Sequence, residues 1–160
     1  MLRHAKSSWD DPTLADVDRP LNGRGLKACS TMAGAMVESG CEFHNIFCSP
    51  AKRARSTIEN IAAQLTGSDI RWQIDRDLYT FSDQDLLHWC HQLDDDLDQV
   101  MLVGHNPAIT DFCNRLNRNG DFVANVPTCG YVRLQIESVW SELEDNAASL
   151  ELLLTPKMLR

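Results

Sequence analysis

Two histidines and an arginine stand out in this chain, because side chains of these types can together carry out phosphoryl transfer. Arg3 and His4 lie at its start, and His105 follows more than a hundred residues later in Gly104-His105-Asn106-Pro107. A neutral imidazole can attack phosphorus and hold the phosphoryl group covalently, which divides one difficult hydrolysis into two easier displacements. Guanidinium groups and a second imidazole supply the positive charge that the transferred group requires. The chemistry makes His4 a candidate nucleophile.

A third segment, Ser49-Pro50-Ala51-Lys52-Arg53-Ala54-Arg55-Ser56-Thr57, lies between these two motifs. Each motif alone carries little information, since Arg-His pairs are usually surface residues and Gly-His-Asn-Pro is usually a turn before a helix. Together and in this order, the three segments resemble the histidine phosphatase superfamily. The Arg-His-Ala form of the first motif, in so short a chain, is most similar to the compact SixA-type branch of phosphohistidine phosphatases. The resemblance covers nearly the whole chain.

This resemblance implies a site in which a nucleophilic histidine is surrounded by three groups that hold the phosphoryl oxygens. The implied catalytic residues are His4, Arg3, Arg53 and His105. Arg55 is the alternative to Arg53, but the family pattern Ser-Pro-x-x-Arg-Ala-x-x-Thr favours Arg53. In the family the loop after the nucleophile lines the pocket, which makes Lys6 and Ser7 candidates for substrate contacts. The resemblance implies no metal and no cofactor.

The substrate class is indicated by a missing acid. Larger members of the superfamily, which cleave phosphate esters or act as mutases, place a glutamate or aspartate after the third strand. The matching stretch 77–82 has no acid at the aligned place, and Asp77 is the nearest candidate. An alkoxide needs a proton from a general acid, whereas the imidazole of phosphohistidine has a conjugate acid with a pKa near neutrality. The sequence thus favours phosphohistidine on a protein, such as a histidine phosphotransfer domain. A phosphatase for small phosphate esters and a non-catalytic phospho-ligand binding module are the alternatives.

The composition predicts one cytoplasmic enzyme domain over residues 1–160. Its 160 residues, 43% of them hydrophobic, can bury one ample core, and no repeat or linker divides them. The net charge of -8 argues against a nucleic-acid partner and requires a local cationic pocket for an anionic substrate. No signal peptide or membrane span is recognisable, so no membrane partner is expected.

Two further groups of residues receive structural interpretations. The six cysteines lack paired metal spacing, and most lie in apolar-patterned elements, so buried free thiols are predicted. His88 and His91 could share a helix face near Cys90, but the apolar residues of the same helix favour a core role over a zinc site.

Hydrophobic periodicity predicts helices and strands in alternation. Helices are predicted at about 22–39, 50–65, 82–93 and 107–116, and strands at about 44–48, 70–74, 99–103, 131–139 and 149–154. The core face of the first helix is predicted to consist of Leu26, Cys29, Met32, Ala33, Met36 and Val37. Ser82 is a predicted N-cap, with Asp85 as the acidic residue of a capping box. This order predicts a three-layer α/β/α sandwich whose sheet is mainly parallel with at least one antiparallel strand. The family fold, which is phosphoglycerate mutase-like, is similar.

The first strand departs from the family pattern. Family members carry several apolar residues before the Arg-His pair, whereas here only Met1 and Leu2 precede Arg3. We expect either that the true start lies upstream of Met1, or that the sheet holds His4 with fewer ladder hydrogen bonds than usual.

Overall fold

A six-stranded sheet runs through the computed structural model, which describes all 160 residues. The strands are β1 (Leu2–Arg3), β2 (Ile46–Cys48), β3 (Trp72–Ile74), β4 (Met101–Gly104), β5 (Tyr131–Ile136) and β6 (Ala148–Leu154), in the order β3-β2-β4-β1-β5-β6. Neighbours among the first four strands are parallel, while β5 is antiparallel to both β1 and β6. The predicted α/β fold with a mainly parallel sheet and an antiparallel closing strand is confirmed.

Two helices cover each face of this sheet and make the three layers. They are α1 (Gly23–Glu38), α2 (Lys52–Gln64), α3 (Asp83–His91) and α4 (Ala108–Leu116). Successive side chains of a strand point to opposite faces. Met101 and Val103 therefore pack under α1 and α2, whereas Leu102 packs under α3 and α4. None of the helices combines the length and the apolar character that a bilayer crossing requires.

The structure corrects the predicted core face of α1. Cys29, Met32, Ala33 and Met36 are buried, but Leu26 is 45% exposed and Val37 is 48% exposed. The buried stripe, which is the row of buried residues along α1, is centred on Gly25 instead of Leu26. Because Gly25 has no side chain, the helix can approach the backbone of Lys6 there. A Cβ atom at Gly25 would lie 2.3 Å from the Lys6 carbonyl oxygen. Leu26 and Val37 consequently flank the buried stripe.

The predicted cap of α3 is half right. The Ser82 hydroxyl accepts a hydrogen bond from the Asp85 amide, as an N-cap does. The Asp85 carboxylate, however, accepts from the Thr80 hydroxyl at 2.6 Å instead of closing a capping box with Ser82. Thr80 takes over that place, since its hydroxyl accepts from the Ser82 amide.

The cysteines are free, as predicted, and five of the six are buried. Four predicted strands are shorter than expected. Those predicted at 44–48, 70–74 and 99–103 each begin two residues later, and the one predicted at 131–139 ends at Ile136. These differences lie at element ends, where periodicity carries little information.

A cavity of about 380 Å³ lies beside Met1, lined by residues of β4 and β5. Met1 exchanges two backbone hydrogen bonds with Val132 of β5. The walls are mostly apolar and include Trp89, Val100 and Leu134. Burial lowers the pKa of the Met1 ammonium group to about 6, because a charge is poorly solvated there.

Four apolar residues added before Met1 are expected to fill this cavity as a longer β1. Each fully buried Val, Leu or Ile contributes roughly 1.5 to 3 kcal/mol, so the melting temperature should rise by at least several degrees. The phosphatase rate should rise too, because His4 would follow a better anchored strand. Paired melts and activity assays measure both effects, with a Gly-Ser extension of equal length as the control. Equal stability and equal rate in the apolar and Gly-Ser extensions would show that the cavity does not accept a strand.

Candidate active site

The residues singled out in the sequence meet at the carboxyl ends of the parallel strands, where ligands of open α/β sheets bind. His4 directly follows β1, and His105 directly follows β4. The two strands are in register, and the His4 amide donates to the Gly104 carbonyl at 3.0 Å. Arg53 lies in the first turn of α2, just beyond the end of β2. Parallel pairing thus brings together residues that are far apart in the chain.

The backbone around His4 is held from several sides, although β1 is short. The Ala5 amide donates to the Thr57 hydroxyl at 2.8 Å, and that hydroxyl donates to the Arg53 carbonyl at 2.6 Å. The Cys129 amide donates to the His4 carbonyl at 3.0 Å. Cys129 has a φ of 61°, in the left-handed region that non-glycine residues seldom adopt. Helix α2 and the turn before β5 therefore support the backbone on both sides of the nucleophile position.

Arg53 points between the two imidazoles. Its side chain is 2% exposed, whereas Arg55, the alternative weighed from the sequence, lies exposed on the outer side of α2. Arg53 Nε donates to His4 Nε2 at 3.3 Å, and Nη2 lies 3.3 Å from His105 Nδ1. The centroids of the two rings are 5.2 Å apart. One guanidinium edge thus faces the space between both imidazoles.

Hydrogen bonds fix the tautomer of each ring. His4 Nδ1 lies 2.7 Å from the Ala5 carbonyl oxygen, which can only accept, so Nδ1 carries the proton. The lone pair of neutral His4 is then on Nε2, the atom that faces Arg53. On His105, Nδ1 faces Arg53 Nη2, which can only donate, so Nδ1 accepts and Nε2 carries the proton that it donates to the Ser49 hydroxyl at 2.7 Å. His4 therefore presents an unprotonated nitrogen to the site.

Burial and neighbouring guanidinium groups keep both rings neutral. Desolvation is the larger effect on His4, and repulsion from Arg53 and Arg3 adds to it, lowering the pKa of His4 to about 4. Burial likewise lowers the pKa of His105 to about 3, with further repulsion from Arg53. An unperturbed imidazole would be partly protonated near neutrality.

The His4 ring is consequently expected to remain unprotonated down to about pH 5. A ¹⁵N nuclear magnetic resonance titration of the imidazoles should show a midpoint for His4 far below the ordinary histidine pKa of 6.5, near the lowered pKa of about 4. A His4 midpoint near 6.5 would contradict the proposed tautomer and environment.

The other residues implied by the family resemblance lie at the edge of this centre. Arg3 donates from Nη1 to the Val126 carbonyl at 2.8 Å, and its buried Nε has no partner. The Ser7 hydroxyl is buried and accepts from Arg19 at 2.6 Å. Lys6 is exposed, and its backbone packs against Gly25. The structure therefore brings His4, Arg53 and His105 into direct contact. Arg3 makes no hydrogen bond to either imidazole, and Lys6 and Ser7 do not contact them.

Sequence reasoning missed Asp16 and Tyr79. The Asp16 carboxylate accepts hydrogen bonds from Arg53, Arg19 and the Tyr79 hydroxyl. The Tyr79 and Phe81 rings pack against the His105 ring, with centroids 5.4 and 5.5 Å from it. Asp16 and Tyr79 are separated by 63 positions, and no local pattern pairs them.

Asp77, the acid weighed from the sequence, is exposed and does not contact the two imidazoles. The segment that contains it turns Tyr79 and Phe81 toward His105 instead. No group of three or more His, Cys, Asp or Glu side chains is arranged to hold a metal ion. In the helix considered for zinc, His91 Nε2 bonds to the Leu143 carbonyl at 2.7 Å.

The fold and this pair of facing imidazoles indicate a phosphoryl-transfer enzyme, and comparison with known proteins identifies the family. Residues 1–83, which include Arg3, His4 and Arg53, match the histidine phosphatase superfamily (branch 1). The chain belongs to this superfamily, and the protein is accordingly a phosphatase.

The similarity to known proteins extends over nearly the whole chain. The uncharacterized protein Rv1276c of Mycobacterium tuberculosis is 27% identical over 157 residues, covering 93% of this chain and 96% of that protein. The protein histidine phosphatase SixA complexed with tungstate superposes with a TM-score of 0.79 at 18% identity, covering 99% of this chain and 97% of the other. A phosphoserine phosphatase from Entamoeba histolytica gives 0.63 at 14% identity, covering 99% and 97%. These structures show that the fold is that of the SixA proteins and other histidine phosphatases.

Proposed function

We propose that this protein is a metal-independent phosphohistidine phosphatase, which removes the phosphoryl group from a phosphorylated protein through a covalent intermediate on His4. The observation that carries the proposal is the contact of one buried guanidinium, Arg53, with the inward-facing nitrogens of both His4 and His105. A phosphoryl group between the rings would have a nucleophile on one side and cationic or protonatable groups around its oxygens. The SixA proteins, which share the fold, are described as histidine phosphatases.

The groups around the site favour a substrate that supplies its own good leaving group. The carboxylate that contacts Arg53 is Asp16. Three donors, Tyr79, Arg19 and Arg53, outweigh the opposing effect of burial and hold the pKa of Asp16 well below its usual range. It therefore stays ionised and cannot donate a proton. An alkoxide would need such a donor, whereas imidazole does not.

In the first step, the lone pair of His4 Nε2 forms a bond to phosphorus while the P–N bond of the substrate breaks. Its electron pair stays with the substrate's imidazole, whose other nitrogen is protonated, so the group leaves as neutral imidazole. When the substrate binds, its negative oxygens favour uptake of a proton from water by the otherwise neutral His105, whose Nδ1 can then donate a hydrogen bond to them. Arg53 and Arg3 offset the remaining charge. Side chains of the protein itself thus supply the positive charge that surrounds the transferred phosphoryl group.

In the second step, water attacks the phosphohistidine on His4. The new O–P bond forms as the P–Nε2 bond breaks, which returns the electron pair to Nε2. The proton of the water passes to a phosphate oxygen, and inorganic phosphate leaves. The enzyme is then restored to neutral His4 with its proton on Nδ1.

Comparing substrates tests the proposed function. The value of kcat/KM for a phosphohistidine-bearing phosphotransfer domain should exceed that for phosphoserine peptides and sugar phosphates by at least about a hundredfold, the contribution that a general acid typically makes. EDTA should leave the rate unchanged. Equal turnover of sugar phosphates would identify a phosphatase for small esters instead. Saturable phosphate binding without hydrolysis of any substrate would identify a binding module.

A further inference from the structure

We propose that Asp16 is a positioning residue, which orients the Arg53 guanidinium toward the phosphoryl group. The assignment rests on the proposed function, since it concerns the same site. Asp16 lies in a short 3-10 turn (Asp16–Asp18) within the polar loop that follows the nucleophile. That loop crosses over the first turn of α2 and places Asp16 beside Arg53.

The two edges of the Arg53 guanidinium have different partners. The edge formed by Nε and Nη2 faces His4 and His105. The edge formed by Nη1 and Nη2 is held by Asp16 alone, since Nη1 donates to its backbone carbonyl at 2.7 Å and Nη2 donates to Oδ2 at 2.9 Å. Planar guanidinium groups bind bidentate partners in fixed geometry. Asp16 therefore sets the plane of Arg53 from the far side, and the near edge remains directed at the phosphoryl position.

Asp16 is itself held by Arg19 and Tyr79. Its Oδ1 accepts from Arg19 Nε at 3.2 Å and from Arg19 Nη2 at 3.0 Å, while Oδ2 also accepts from the Tyr79 hydroxyl. The Trp9 ring stacks on Arg19, with 3.7 Å from the guanidinium carbon to the ring centroid. An anchored carboxylate loses little freedom when it binds Arg53, which makes it an effective support.

The charge of Asp16 suits orientation better than acid catalysis. Its side chain is 44% exposed, whereas that of Arg53 is 2% exposed. The carboxylate thus forms the outer wall of the site and offsets part of a buried positive charge. Removing it should tilt or loosen the guanidinium without removing any group that faces the phosphoryl position.

A double-mutant cycle tests this role. Asp16→Ala should lower kcat/KM for the phosphohistidine domain by about ten- to a hundredfold, the usual cost of misplacing a group at the reacting centre. In an Arg53→Ala background the same change should have almost no effect, because the guanidinium that Asp16 orients is gone. Asp18→Ala, in an exposed residue of the same turn, is the matched control and should leave the rate unchanged. If Asp16→Ala lowered kcat/KM by the same factor in the wild-type and Arg53→Ala backgrounds, the proposal would be overturned.

Orthovanadate affinity, measured by calorimetry over the same cycle, separates this inference from the proposed function. It requires no turnover, so coupling between the two residues would be seen even if the wild-type protein hydrolysed no phosphohistidine. If Asp16→Ala fails to fold in a thermal melt, Asp16→Asn, which preserves side-chain size and removes the charge, replaces it. Coupling to Arg53 in vanadate binding supports the positioning role, and additive losses in vanadate binding contradict it.

Discussion

Replacing His4 with alanine is expected to abolish phosphatase turnover, lowering kcat by a factor on the order of 10⁴ or more, as removal of an enzymatic nucleophile typically does. His4 Nε2 is the unprotonated nitrogen at the centre of the site, and no second nucleophile lies beside it with a free lone pair. His105 Nε2 is already bonded to Ser49, and its Nδ1 faces Arg53. A steady-state assay with the phosphohistidine domain measures the loss.

The His4→Ala protein should remain folded, because the His4 side chain bonds only to its neighbour Ala5 and to Arg53. A melting curve checks this point. His44→Ala is the matched control, since His44 is an exposed histidine far from the site and its removal should leave the rate unchanged. Retained turnover in His4→Ala would overturn the mechanism.

Arg53→Ala should cost at least about a hundredfold in kcat, because it removes a bidentate donor directed at transition-state charge. Arg53→Lys should recover only part of the loss, since an ammonium group keeps the charge but cannot contact both imidazoles and Asp16 at once. The neighbouring Arg55→Ala is the control. Because Arg55 is exposed, its removal should change kcat little. A large loss in Arg55→Ala with a harmless Arg53→Ala would contradict the geometry described for α2.

The parts of the molecule that could be predicted from the sequence are those that local patterns determine. Strands and helices follow from hydrophobic periodicity, and the parallel order of the sheet follows from their alternation. Once the strand ends are known, His4 and His105 must approach each other, because parallel neighbours end at the same edge of the sheet. Arg53 could be placed beside them only through its resemblance to a family pattern.

Contacts between distant segments could not be predicted. Asp16 reaches Arg53 across 37 positions and Tyr79 across 63, and an aspartate in a polar loop is ordinarily a solvated residue. Leu26 and Val37, which were predicted to be buried, are partly exposed for a related reason. Helical periodicity alone does not show that Gly25 makes the closest approach to the loop after the nucleophile. Which flank of a helix is buried depends on its partner in the tertiary structure.

The most direct test of the central claim is to trap the covalent intermediate. The protein is mixed with a phosphotransfer domain that carries ³²P-labelled phosphohistidine, and the reaction is quenched within milliseconds. Peptide mapping under alkaline conditions then locates the label. The account predicts acid-labile label on the peptide that contains His4, and none in His4→Ala. Phosphate release without any labelled enzyme, or label on His105 in place of His4, would contradict it.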